Sequence, residues 1–340
     1  MDAEEVSAMA NARSAAVERI VTTCRDYQNC TMCVDHVEDW IRQFRLSSKD
    51  DLLLLEEIAH VLSNTYISEQ ILRAFVAQRV ESLPRESGLS PRMYWDRVGV
   101  MRLGGTEDSQ GALVAILGEE LSRRWKLDPR INLETAAEWL YFDDVLFTGH
   151  QVVQRLSNWT AVTGHEDCRV RLVLFAAHTL GRRWVEHDST NFRDLRDAKN
   201  IGLRWNVNVM IQNRQQAGCQ VLWPHYPSEG GFHWPTQFDG RPVVWRPMDS
   251  GATAPFRTDQ GRQLMEDVFT EFGLHIVGLA KNPGPNIRPL GYSRLASLGF
   301  GSMVVSHRGC ANTCPVVLWW GGAEKYPLNQ WYPLFPRHRI

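Results

Sequence analysis

Over the first 83 residues, apolar positions recur three and four apart. Val34, Val37, Trp40, Ile41 and Phe44 form one stripe, and Leu52, Leu55, Ile58, Ala59 and Leu62 form another. This spacing predicts amphipathic helices. Ser47 or Ser48, ahead of Asp50 and Asp51, offers a start for the second helix. Ser68 stands near the start of a third run formed by Ile71, Leu72, Phe75 and Val76. Helices this short bury one face each, so residues 1–90 are expected to form a compact bundle of three or four helices, or a winged-helix-like domain. Residues 83–91 carry Pro84, Gly88 and Pro91, which break helix and mark the expected boundary.

From about residue 92 the period changes. Residues 97–103, 137–142 and 170–177 are apolar runs of strand length, and residues 110–124 and 150–159 between them read as helices. Polar, helix-compatible sequence follows the third run. Strand alternating with helix predicts parallel βαβ units, hence an α/β domain over residues 91–340 whose sheet carries helices on both faces. Ligands of such sheets lie beyond the carboxyl ends of the strands, at the loops that enter helices.

Composition narrows the function classes. The 340 residues carry a formal charge of −2 and a pI near 6.6, which excludes a broad basic field for nucleic acid. Neither a signal-peptide pattern nor an apolar run of roughly 18 residues occurs, so a cytoplasmic chain with no membrane partner is expected. Seven cysteines spread over this length favour reduced thiols. Cys24, Cys30, Cys33 and His36 include a Cys-x-x-Cys pair, but no second pair stands at a suitable spacing and the segment fits a helix, so zinc is not expected. Most of the thirteen tryptophans follow residue 150. Trp319, Trp320, Trp331 and Phe335, among Pro333 and Pro336, are expected to form a C-terminal strap over the sheet, with a base-stacking or partner surface as the alternative.

Two loops carry candidate chemistry. In the first by strength, the apolar run at 139–142 ends in Asp143 and Asp144, and Val145-Leu146-Phe147-Thr148-Gly149-His150-Gln151 leads into a helix. The free amides and positive end of that helix suit a phosphate, Gly149 allows close approach, and Thr148 adds a hydroxyl donor. The two acids, one turn earlier, suit ribose hydroxyls and a magnesium ion. The second loop, from Arg102 through Gly104, Gly105, Thr106, Glu107 and Asp108 to Ser109, has glycines, hydroxyls and one arginine suited to an anion, although Glu107 and Asp108 oppose it. His178, in the loop after the third strand, is a further candidate.

The run Asp143 to Gly149 resembles the phosphoribosyl pyrophosphate signature of type I phosphoribosyltransferases, close to the form in pyrimidine-operon attenuators and orotate phosphoribosyltransferases. The resemblance implies a type I phosphoribosyltransferase-like sheet. It implies Asp143 and Asp144 as catalytic and magnesium-holding acids, and Phe147, Thr148, Gly149, His150 and Gln151 as the 5-phosphate loop. Arg102, Gly104, Gly105 and Ser109 then correspond to the pyrophosphate loop, and His178 lies near the acceptor base. Gln151 departs from the usual Ser or Thr, and the roughly 20 residues before the second strand are short for the mobile lid of catalytic relatives.

Farther along, Arg288-Pro289-Leu290-Gly291-Tyr292, Trp319-Trp320 and Leu334-Phe335-Pro336-Arg337, together with Trp40-Ile41-Arg42-Gln43-Phe44, resemble the phosphoribosyltransferase-like effectors of bacterial conflict and antiphage systems. This likeness runs from about residue 37 to 337. It implies a toxic effector that binds phosphoribosyl pyrophosphate and magnesium and acts on a nucleotide or nucleic acid. Because some members accompany retrons, it also implies a reverse transcriptase and its RNA–DNA product as partners. A non-catalytic nucleotide-sensing or assembly subunit is the second reading, and homo-oligomerisation stays open.

Overall fold

The computed structural model describes residues 2–28, 32–105, 108–213, 219–224, 237–238, 241–246, 254–294, 298–322 and 326–337. In chain order the helices are α1 (Ala3–Thr23), α2 (Val34–Arg42), α3 (Ser48–Thr65), α4 (Glu69–Ser87), α5 (Pro91–Trp95), α6 (Ser109–Trp125), α7 (His150–Thr163), α8 (Thr179–Arg183), α9 (Thr190–Ala198), α10 (Asp259–Leu279) and α11 (Val316–Trp319). The strands are β1 (Tyr66–Ile67), β2 (Val98–Val100), β3 (Glu138–Leu146), β4 (Arg169–His178), β5 (Gly202–Ile211), β6 (Gln237–Phe238), β7 (Arg241–Pro242), β8 (Val305–Ser306) and β9 (Gly309–Cys310). Packing divides the chain into two units: residues 70–212 form one, and residues 1–69 with 213–340 form the other. The division is therefore not a single cut near residue 90.

The continuous unit holds a four-stranded, all-parallel sheet in the order β2-β3-β4-β5. Alternation along β4 gives it two buried faces. Leu172 and Leu174 pack with Trp139 and Tyr141 of β3, Leu156 and Trp159 of α7, and Phe192 of α9. On the opposite face, the Phe175 ring meets Phe75 of α4 at 5.6 Å, and Arg171 pairs with Glu86 of α4 at 3.0 Å and Glu138 of β3 at 3.2 Å. The expected α/β architecture, a parallel sheet with helices on both faces, is thus present. Residues 130–132 extend the sheet beside β2: Val100 donates to the Arg130 carbonyl at 2.9 Å, and Asn132 donates to the Val100 carbonyl at 3.0 Å.

Several elements differ in extent from expectation. α4 runs three residues past Pro84, close enough to its end that the missing amide disturbs only the last turn. β3 continues through both acids, because Asp143 stays in register with Leu174 and Val145 with Ala176. β5 follows the polar stretch that was expected to be helical.

In the discontinuous unit, α1 and α10 pack on α3. Ser47 caps α3, its hydroxyl accepting the Asp50 amide at 3.2 Å. The Trp-rich tail packs on these helices. The indoles of Trp40 and Trp331 both donate to the Val317 carbonyl, at 3.1 and 3.0 Å, and Phe44 meets the Trp331 ring at 5.4 Å. Phe335 is fully buried against Tyr27, whose hydroxyl donates to the Pro336 carbonyl at 3.1 Å. Burial of Trp331 and Phe335 removes them as a base-stacking surface.

Candidate functional site

β3 delivers the Asp143–Gln151 run to the carboxyl edge of the sheet. Gly149, which has no side chain to cap with, is the N-cap of α7 and lies in the left-handed region, at φ +77°. A residue with a Cβ is strained at that φ. Here it is also crowded: the added atom would stand 2.6 Å from the Gly181 carbonyl and 2.9 Å from Val185. Gly181 in α8 returns the constraint, since its own Cβ would stand 2.0 Å from the Phe147 carbonyl. Two glycines therefore let the loop backbone lie against α8. Ring contacts fix the flanks, with His178 stacked on Phe147 at 5.4 Å and His150 on Trp184 at 4.4 Å. Trp184 opens a π-helical turn, Trp184–Asp188, a geometry that often marks functional sites.

The acids of the signature have different environments. Asp143 is buried, accepting hydrogen bonds from Ser109 Oγ at 2.6 Å, Tyr141 OH at 3.0 Å and the Asp144 amide at 3.0 Å, with Arg155 Nη1 at 3.9 Å. Burial pushes its carboxyl above the ordinary range, while Ser109, the Arg155 guanidinium, Tyr141 and the Asp144 amide pull it down. Asp143 therefore ties β3 to α6 and α7 and has few oxygen lone pairs left for a ligand. Asp144 is half-buried, and its Oδ1 accepts the Val145 amide at 2.7 Å.

The loop after β2 lies beside this cluster. Gln110, fully buried, accepts the amides of Leu103 at 2.9 Å and Gly104 at 3.1 Å. Asn132 accepts the Arg102 amide at 3.0 Å, and the Arg102 side chain is exposed, as is Gly105. Asp108 caps α6 through the Gly111 amide at 2.8 Å and meets Arg155 Nη2 at 2.5 Å. Arg155 also donates to Tyr141 OH at 3.2 Å. Burial works against its charge, and Tyr141, Asp108 and Asp143 more than offset that. Thr106 and Glu107 lie outside the described residues.

The sequence profile of the PRTase-CE family matches residues 37–337, most of the chain. The chain belongs to that family. Its domain is phosphoribosyltransferase-like, in agreement with the parallel sheet and the loops at its carboxyl edge. No match is found among the curated proteins.

Within this family member, the structure brings Ser109 and Asp143 into direct contact and stacks Phe147 on buried His178. Thr148 is half-buried and Gln151 exposed on the first turn of α7. Sequence reading missed Arg155, Tyr141, Gln110 and Gly181. Arg155 carried one legible signal, a cation one turn beyond Gln151 on the helix that the acidic strand feeds.

The described members of the cysteine group lie in the discontinuous unit. Cys24 is buried, Cys33 exposed, and both ring nitrogens of His36 are engaged, by Tyr332 OH at 2.5 Å and the Leu334 carbonyl at 2.7 Å. Cys30 lies outside the described residues. Among the described residues, no group of three or more His, Cys, Asp or Glu is placed to hold a metal. The same unit has a cleft of about 700 Å³ lined by Arg42, Glu271, Phe272, His275 and Trp331, and it contains none of the predicted site residues. No described helix is long and apolar enough to cross a membrane.

Proposed function

We propose that the parallel-sheet domain binds the ribose 5-phosphate end of phosphoribosyl pyrophosphate or of a nucleotide at residues 143–151. In this reading the chain is an antiphage effector that acts on a nucleotide or nucleic acid. The observation that carries the binding is the start of α7 at a left-handed glycine, a few residues beyond Asp144, with its backbone held close by Gly181. Backbone amides there can take the phosphate, Thr148 can add a hydroxyl, and Asp144 can accept from ribose hydroxyls. Magnesium needs hard oxygen ligands and tolerates few from protein, so the half-buried Asp144 carboxylate with the ligand's own oxygens would fit it. When bound, the ion would neutralise phosphate charge.

The experiment is calorimetric titration of the full chain with ribose 5-phosphate and phosphoribosyl pyrophosphate in magnesium, alongside pyrophosphate release in cell extract. Wild-type binding that Asp144→Ala weakens at least about tenfold supports the reading. If neither compound binds, the reading is refuted. The defence role is read from phage plating on cells expressing wild type or Asp144→Ala, where equal protection by both sinks the assignment of this loop.

A second reading, binding without transfer as a sensing or assembly subunit, has its own observation. The segment between α6 and β3, where a lid would arise, is bonded along β2 through Arg130 and Asn132. Pyrophosphate release at turnover rates excludes it.

A further inference from the structure

The two loops at the sheet edge do not meet an incoming anion alike. The N-cap of α7 is a glycine, whereas the N-cap of α6 is itself an anion. Asp108 Oδ1 accepts the Gly111 amide at 2.8 Å, and Oδ2 holds Arg155 Nη2 at 2.5 Å. Gly104 lies directly against this pair: a Cβ there would stand 1.7 Å from Asp108 Oδ2 and 2.7 Å from Arg155 Nη2. The space beside Gly104 that a Cβ would take is filled by this carboxylate, and the Gly104 amide is already held by Gln110 at 3.1 Å.

Charge counts the same way. Arg155 serves Asp108 and, at 3.9 Å, Asp143, so one cation faces two carboxylates. Side-chain exposures of 12% for Arg155, 26% for Asp108 and 6% for Asp143 leave little water to screen the excess negative charge. Resting on the reading of residues 147–151 as a 5-phosphate seat, we propose that Asp108 is a specificity-determining residue that keeps pyrophosphate from the α6 end of the site. The ligand is then a ribose 5-phosphate with an uncharged group at C1, the chemistry of a nucleoside 5′-monophosphate, and not phosphoribosyl pyrophosphate.

A pyrophosphate group must approach Asp108 and break its pair with Arg155. A nucleobase brings no such charge. Asparagine at 108 keeps an N-cap acceptor, removes the charge and releases Arg155 for an anion.

The test titrates the full chain and Asp108→Asn, in magnesium, with ribose 5-phosphate, each of the four ribonucleoside 5′-monophosphates, inorganic pyrophosphate and phosphoribosyl pyrophosphate. Wild type is expected to prefer a monophosphate. The variant is expected to gain about tenfold or more for pyrophosphate and phosphoribosyl pyrophosphate relative to the monophosphates. Wild type binding phosphoribosyl pyrophosphate more tightly than every monophosphate overturns the proposal. So does a folded variant with no gain for pyrophosphate while ribose 5-phosphate binding persists. If ribose 5-phosphate and every nucleotide fail to bind both proteins, the phosphate seat itself is wrong and the specificity falls with it. Should Asp108→Asn not fold, Asp108→Ser, which also caps, makes the same comparison.

Discussion

Arg155→Met removes the one guanidinium shared by two shielded carboxylates while keeping much of the side chain's length. At 3.9 Å and an effective dielectric near 20, its attraction for Asp143 is about 4 kcal/mol. The hydrogen bonds from Ser109, Tyr141 and the Asp144 amide remain and offset part of the loss. Breaking a mostly buried pair from one side costs about 3–5 kcal/mol, so a net destabilisation of about 2–4 kcal/mol is expected near pH 7. Burial already raises the Asp143 carboxyl, and without the cation that push is less opposed. A carboxyl raised in the folded state contributes stability that is complete below its unfolded value and lost as pH rises through the folded one. The deficit of Arg155→Met should therefore be smaller near pH 4 than at pH 7, the lost contacts with Asp108 and Tyr141 remaining at both. Urea unfolding at several pH values measures it, and adding Asp143→Asn should recover part of the loss. A deficit independent of pH, or a variant within about 0.5 kcal/mol of wild type at pH 7, refutes the account of the cluster.

Gly181→Ala places an atom 2.0 Å from the Phe147 carbonyl, so the loop must move; a loss of about 1–3 kcal/mol and weakened ribose 5-phosphate binding are expected by denaturation and calorimetry, and unaltered binding counts against the packing argument. Asp267 on α10 is raised to about 6, by burial first and then by Glu266, with Arg246 opposing. Its contribution is present in full below its unfolded value near 3.8 and lost as pH rises through about 6, so Asp267→Asn should match wild type near pH 4 and exceed it by about 2 kcal/mol at pH 7; a pH-independent difference is inconsistent with this.

The legible parts of the molecule were those set by local pattern. The 143–151 run could be read because an apolar strand, two acids and a glycine lie within one short segment. β5 had a signal that was passed over: Leu203, Trp205, Val207 and Val209 alternate with Arg204, Asn206 and Asn208, period two behind polar residues. Arg155 and Asp108 stand 47 residues apart, and no sequence periodicity reports that they meet. The partners of the tail were not legible either, because Trp331 and Phe335 find them in Trp40, Phe44 and Tyr27, far earlier in the chain.

That last arrangement bears on synthesis. Tyr27 waits for Pro336, and Trp40 for Val317, so α1 to α3 emerge from the ribosome long before the segments that complete their core. Residues 70–212, whose partners are nearer in sequence, can fold while the first helices are still incomplete. A stop codon ahead of Trp331 would leave the sheet and its loops fully translated yet strand the opening helices with exposed apolar faces, a species marked for chaperones or proteases.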